Sequence, residues 1–409
     1  MSKTQSILII GGGFAGIRAA LDLDKKLPKD AQITLISDKD YFEYYPALYR
    51  VVTGASPIEA CVPLTVILGK TRVSVIVDPV TALDIDTRSV TTKSGKTYAS
   101  DFLILGLGSQ TSYFDLPGLP DLSFGFKSVH EALELKHHIH NLFLDHEHPT
   151  TAECVSHFHV VVVGGGASGV EIAGDLSAFL NELTTIHKID PSLITIDLIE
   201  SSPRLLPALD PRVSARILAR LRKLGVNIFL NRSLVKEEVA EVYLKDMSLK
   251  AKTVVWTAGT RVHPLYQNIQ GFSFNKKGRV MVDAQLQPTG KTNIFIVGDA
   301  ADTPYAGLAQ TALADGTFVA ETIAARITGK REPKYTPKPT AFSIPVGTSW
   351  GAFAWGPIHI YGRVAYFLRH LIDFFFFAGI VPAGHLFKMF KEGFKYRSVD
   401  PLCPECTEK

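Results

Sequence analysis

The chain has 409 residues, 46% of them hydrophobic and 20% charged, with a formal net charge of +3. That length accommodates two or three domains around a sizeable core, and the composition is that of an ordinary globular protein. The balanced charge argues against nucleic acid as a partner.

The chain opens MSKTQSILII, without the charged and apolar regions of a secretory signal, so none is expected. SILII at 6–10 is a continuous apolar run that stops at GGGFAG. A helical pattern, IRAALDLDKKL, follows, and QITLIS at 32–37 reads as a second strand. Strand, glycine turn, helix and strand make a βαβ unit with a parallel sheet. Residues 73–108 then alternate strands and turns, punctuated by Asp86 and Gly95. The first pattern recurs as FHVVVV at 158–163, GGGASG, the helix VEIAGDLSAFLNEL and the strand ITIDLIE at 194–200. A repeated βαβ unit predicts two nucleotide-binding domains. Further on come TVVWTAGTR at 253–261, TNIFIVGDAAD at 292–302, and the proline-marked linker TPKPT at 336–340. The remaining residues are rich in aromatics.

Each glycine turn has G-x-G-x-x-G spacing, through Gly11, Gly13 and Gly16 and through Gly164, Gly166 and Gly169. The first glycine makes the tight turn, the second lets backbone approach a pyrophosphate, and the third lets helix pack on strand. The helix N-terminus adds free N–H groups and a positive dipole for the phosphates. One such motif is a weak signal, but two, each between a strand and a helix, are strong. An acid at the end of the second strand holds the adenosine ribose. Glu200 fits that place in the second unit and favours NADH, while Arg204 keeps NADPH open. In the first unit the strand ends at Ser37, and Asp38 is expected to be the ribose ligand.

These motifs, with the late VGDA at 297–300, resemble the two-dinucleotide flavoproteins to which glutathione reductase belongs. The resemblance implies FAD on the N-terminal motif, with Asp299 on the ribitol-phosphate arm. TAG at 257–259, ending in Gly259, is similar to that superfamily's strand-end motif near the pyridine nucleotide. Its usual first copy, of A-T-G type, reads GLG here and ends in Gly108.

The resemblance narrows to the type II NADH dehydrogenases, single-chain NADH:quinone oxidoreductases, over most of residues 5–330. ITLISDKDYFEYYPALYRVVTG, VVVGGGASGVEIAGDL and ESSPRLLPALDPRVSARILARLRKLGV carry it. In that family the glutamate two residues past the last glycine, here Glu171, points at the nicotinamide–flavin junction. The plainer reading is a carboxylate complementing the helix dipole. The family's A-Q-x-A-x-Q motif reads Ala-Gln-Thr-Ala-Leu-Ala at 309–314, so Gln310 is present and Ala314 replaces the second glutamine. Gln310 is the candidate for lining the acceptor site. The family's lysine-glycine segment is not evident in SIPVGTSWGAFAWG.

Four cysteines, Cys61, Cys154, Cys403 and Cys406, are too few and too scattered for a disulfide framework, which points to a reducing, cytosolic compartment. No cysteine stands near the second glycine turn, as sulfide:quinone oxidoreductase chemistry requires. CPEC at 403–406 supplies half of a zinc site and reads as tail. His130, His137, His138, His140, His146 and His148 read as surface histidines rather than metal ligands.

No run of about 18 apolar residues predicts a membrane-crossing helix. Residues 361–397 nevertheless combine aromatics with six Lys/Arg against two acids. On a helix over 363–378, Val364, Phe367, Leu368, Leu371, Phe374 and Phe375 share one side, and Arg363, Tyr366, His370 and Asp373 form a polar stripe. Gly379 and Pro382 break it before GHLFKMFKEGFKYR. An aromatic face with a basic flank suits a helix lying in a membrane surface. The alternative is a helix pair packed on the protein or on a dimer mate.

Together these readings predict an α/β protein with two Rossmann-like dinucleotide-binding domains and a C-terminal amphipathic membrane-association segment. The expected division is 1–120 with 280–345 for FAD, 121–279 for NADH and 346–409 for the membrane. The implied enzyme takes hydride from NADH, passes electrons to a quinone, pumps no protons and sits on the cytoplasmic side of the membrane. A homodimer is compatible with it. The competing readings are a soluble flavoprotein reductase with another acceptor, a sulfide:quinone oxidoreductase-like enzyme, and a redox sensor with little turnover.

Overall fold

The computed structural model describes residues 4–144 and 156–395, with side chains described to residue 389. β1 (Ser6–Ile10) turns through glycines into α1 (Phe14–Lys26), and β2 (Gln32–Ser37) follows. The short α2 (Leu48–Val52) precedes β3 (Ser74–Val77), β4 (Phe102–Leu105) and the small strand β5 (Ser109–Thr111). β6 (Phe124–Gly125), α3 (Val129–Leu144), β7 (His159–Val163) and α4 (Ala167–His187) begin the second half. It continues through β8 (Thr195–Ile199), β9 (Val226–Phe229), β10 (Thr253–Trp256) and β11 (Thr260–Val262). β12 (Ile294–Ile296) and α5 (Ala309–Thr328) return to the first half. Last come β13 (Phe342–Pro345), β14 (Gly351–Trp355), β15 (Ile358–Gly362), α6 (Arg363–Ala378) and α7 (Ala383–Lys395).

Two five-stranded parallel sheets result, in the orders β12–β4–β1–β2–β3 and β6–β10–β7–β8–β9. Their inner strands β1, β4, β7, β8 and β10 are short, mostly aliphatic runs buried on both faces, as a helix-covered parallel sheet requires. The repeat is exact in detail. Ile10 pairs with Ile36 as Val163 pairs with Ile199. Gly11 N donates to Ile36 O at 2.8 Å, and Gly164 N to Ile199 O at 2.8 Å. The third glycine is obligatory in both turns. A Cβ on Gly16 would lie 1.9 Å from Gly11 O, and one on Gly169 would lie 1.8 Å from Gly164 O. The same chain position closes each turn from the neighbouring strand: Gly106 N bonds Ile10 O, and Thr257 N bonds Val163 O. GLG and TAG are therefore structural equivalents.

The C-terminal region is more than an amphipathic hairpin. β13, β14 and β15 form an antiparallel sheet, with Ala352 and Ala354 turned inward, and α6 lies against it. α6 has the expected span and ends at Gly379, whose N–H bonds Phe375 O and Phe376 O. No helix among the described residues is long and apolar enough to cross a membrane. One expectation about α3 fails. His140 is buried against Phe179, because α3 turns Ala132, Leu135, Lys136 and Ile139 inward on the same face. Among the described residues no group of metal-ligating side chains forms. His146, His148, Cys154, Cys403 and Cys406 lie outside the described residues.

Candidate functional site

A cavity of about 480 Å³ opens over the first glycine turn. Gly11, Gly13, Asp38, Gly108 and Asp299 all line it, and Gly16 lies behind its floor. Gly13 faces open space: a Cβ there would meet nothing within 4 Å. The floor therefore lets a pyrophosphate reach backbone N–H groups at the start of α1. Gly108 adopts φ +68° where the wall turns. Asp299 Oδ2 accepts from Ser109 Oγ, and Lys127 Nζ stands 3.6 Å from it, over the ring of Tyr45. Glycine floor, helix terminus, rim carboxylate and Asp299 are the donor and acceptor set that FAD needs, so the residues fit that cofactor.

Two details add to the sequence reading. Asp38 is exposed at the cavity rim, whereas Ser37 occupies the buried register position equivalent to Glu200. A Cβ on Gly12 would lie 2.7 Å from Ser37 Oγ, just as one on Gly165 would lie 2.8 Å from Glu200 Oε2. The turn bearing Asp299 is itself held by Asp315, which is fully buried and accepts from Gly298 N at 3.0 Å and Tyr335 Oη at 2.7 Å. Burial pushes the Asp315 carboxyl up to about 6. A lone aspartate in the apolar stretch of α5 was the available signal for it.

The second turn repeats the first. Glu200 is buried at the end of β8, where its carboxylate accepts from Gly165 N and Ser202 N, both at 2.6 Å. Arg204 is directed into its own loop, donating to Leu209 O at 2.7 Å and Ser214 Oγ at 2.9 Å. Its guanidinium is committed to that loop. Gly166 also faces open space, and Gly259 ends the neighbouring strand at φ +116°.

Glu171 does not line the cavity. It is buried in the first turns of α4, at a seam with α2 and α6. Arg369 Nη1 approaches its Oε1 at 3.4 Å, and the same nitrogen donates to Ser343 O at 2.8 Å. Arg369 Nε donates to Asp373 Oδ1 at 3.0 Å. Asp373 also accepts from Tyr44 Oη and Arg50 Nη2, both at 2.6 Å. Burial pushes the Glu171 carboxyl up to about 8, against the pull of Arg369. Burial also opposes ionisation of Asp373, but Arg369, Arg50 and Tyr44 outweigh it and hold that carboxyl below the usual range. Two carboxyls that share Arg369 are thus pushed in opposite directions, Glu171 toward its protonated form and Asp373 toward its ionised form.

This network fixes the orientation of α6, with the aromatic side outward as a membrane-surface helix requires. Its polar side, with Arg369 and Asp373, faces the protein, while Val364, Phe367, Phe374 and Phe375 are exposed, Phe367 and Phe375 at 65% each. Phe376 and Phe377 complete the anchor by packing on Tyr44, with ring centroids at 4.9 and 4.8 Å. Gln310 is exposed at the start of α5 and donates to Ala341 O at 2.9 Å. It grips the strand that Arg369 holds at Ser343 and stays outside the cavity lining. Arg50, Lys127, Asp315 and Arg369 were missed from sequence. The Arg369–Asp373 spacing of four on an apolar helix was the one readable sign of the pair.

Residues 5–316 match the family model described as pyridine nucleotide-disulphide oxidoreductase. A type II NADH:quinone oxidoreductase of Staphylococcus aureus (strain NCTC 8325 / PS 47) is 28% identical over 384 residues, covering 90% of this chain and 94% of its own. Among solved structures, NDH2 from Plasmodium falciparum in complex with NADH superposes with a TM-score of 0.88 at 17% identity, over 98% of this chain and 100% of its own. The sulfide:quinone oxidoreductase of Aquifex aeolicus follows at 0.76 and 22%, over 92% and 91%. At those identities the two structures establish the fold.

Proposed function

We propose a function from the premise that the chain belongs to the pyridine nucleotide-disulphide oxidoreductase family: it is a type II NADH dehydrogenase, a membrane-attached, non-proton-pumping NADH:quinone oxidoreductase that carries FAD. FAD, when bound, supplies the redox chemistry, taking hydride from NADH and passing two electrons to the quinone. One observation carries the assignment. The helix that sets Arg369 beside Glu171 also exposes Phe367, Phe374 and Phe375 on its other side. A lipid-dissolved acceptor would meet the protein at that helix.

The chain's own residues divide the work. Gly11, Gly13, Gly16, Asp38, Gly108 and Asp299 hold FAD on the unit formed by 1–120 and 280–345. Gly164, Gly166, Gly169, Glu200 and Gly259 hold NADH on 121–279, and the inward commitment of Arg204 favours NADH over NADPH. Glu171, whose carboxyl burial biases toward the protonated form, is placed to hold a proton that a reduced quinone requires. Gln310 acts through the Ala341 carbonyl, positioning the strand that Arg369 grips. α6 and α7 lie in the membrane surface, on the cytoplasmic side where NADH is at hand, with Phe367, Phe374, Phe375 and Phe387 in lipid. The one cysteine among the described residues, Cys61, has its thiol pushed up to about 12 by burial and by Glu43, which speaks against sulfide as the reductant.

Steady-state turnover tests the proposal. NADH oxidation is expected to be fast with a water-soluble quinone, slow without acceptor, and weak when NADPH replaces NADH. Reduction of the flavin by sulfide but not by NADH overturns the assignment. Turnover restricted to a ferredoxin-like protein acceptor replaces quinone with a soluble partner.

A further inference from the structure

Phe114 lies outside every role described above. Its side chain is 61% exposed, although the Trp256 it touches is buried. Its backbone sits at φ +53°, and Asp115 follows at φ +55°. Two consecutive non-glycine residues in the left-handed region are a strained outlier, and such strain collects at functional sites.

The strain sets the ring against one particular place. A Cβ on Gly259 would lie 2.4 Å from the Phe114 ring, so only glycine allows the contact. The ring also meets Trp256 edge-on, with centroids 6.3 Å apart. The backbone is pinned from both directions: Ser112 N donates to Gly259 O at 3.2 Å, and Trp256 Nε1 donates to Ser112 O at 2.8 Å. Phe114 is therefore held in the open at the C-terminal end of β10.

The sheet order says what passes there. β10 and β8 flank β7 on opposite sides. The turn after β7 takes the pyrophosphate, and Glu200 at the end of β8 takes the adenosine ribose. A dinucleotide laid across that crevice must send its other half over the end of β10. The strap carrying Phe114 points the same way, since residues 106–111, just before it, line the first cavity. We propose that Phe114 is the stacking contact for the nicotinamide-ribose half of NADH, placed between the two nucleotide sites.

The inference rests on reading the second glycine turn as the NADH site. The test uses the FAD-loaded full chain and measures equilibrium binding of NAD⁺ and of ADP, which lacks the nicotinamide half. Phe114→Ala is expected to weaken NAD⁺ binding about fivefold, the scale of one aromatic contact, and to leave ADP within about twofold. Phe114→Tyr keeps the ring and should bind NAD⁺ like the wild type, which separates loss of stacking from misfolding. NAD⁺ binding that is unchanged or tighter in Phe114→Ala overturns the role, as does an equal loss for ADP. A wild-type protein that binds neither probe overturns the NADH-site reading itself, and the inference with it.

Discussion

Replacing Asp373 with asparagine isolates the charge network that joins α6 to the body. Asp373 is 2% exposed and accepts from Tyr44, Arg50 and Arg369. The variant keeps the volume and one acceptor oxygen, removes the negative charge, and turns an amide donor toward donors already there. Two guanidinium groups then share a buried site with their main counter-charge gone. Removing one member of a buried ion pair costs about 3–5 kcal/mol, and the retained oxygen places Asp373→Asn near the lower end. At roughly 1–2 °C per kcal/mol for a chain of this length, the unfolding midpoint should fall by about 3–6 °C at neutral pH, read by circular dichroism on the FAD-loaded protein. The pH dependence has a definite sign. A carboxyl whose folded pKa is depressed contributes stability above its unfolded value, and that stability is lost as pH falls through the folded value. The gap between wild type and variant should therefore persist through mildly acidic pH and close only below the usual carboxylate range. A fall of less than about 2 °C at neutral pH would refute the reasoning, since the charge would then be solvated rather than buried.

Gly16→Ala and Gly169→Ala introduce the same clash, at 1.9 and 1.8 Å, into the two turns. The first should yield protein purified without flavin, and the second flavin-loaded protein with a greatly raised KM for NADH, both read from the flavin-to-protein ratio and initial rates. Glu171→Gln should remove an ionisation near pH 8 from the profile of quinone-dependent turnover. Because the folded pKa is raised, the wild type loses stability as pH climbs from the ordinary carboxylate value toward 8. Glu171→Gln should then unfold at the higher temperature above that pH. Phe367→Asp and Phe375→Asp alter exposed positions and should leave the fold intact while weakening binding to anionic liposomes, at least roughly tenfold for each phenylalanine withdrawn from lipid.

The two sheets and their turns were legible because G-x-G-x-x-G is demanded by backbone geometry that no side chain satisfies, and because the motif occurs twice. The strand end of the first unit was harder. Ser37 stands where Glu200 does, as the strand ends read from sequence and the register agree, but which of Ser37 and Asp38 meets the ribose is not written in the pattern. α6 was readable as a span and as a two-sided helix with its aromatic side outward. Periodicity separates the stripes without naming the partners that its polar side meets. The apolar-inward rule fails here because Arg369 and Asp373 find Glu171, Tyr44 and Arg50 waiting. Those partners lie 198 to 329 positions away in the chain, beyond any local pattern. Gln310 was recognisable as a motif residue, yet its partner is a backbone carbonyl, which sequence does not distinguish from any other.

An anaerobic titration tests the central claim most directly. The FAD-loaded protein receives one equivalent of NADH while the flavin absorbance is followed, and then one equivalent of a soluble quinone. The account predicts bleaching on the first addition and full recovery on the second. No bleaching by NADH, or bleaching that quinone does not reverse, would contradict it.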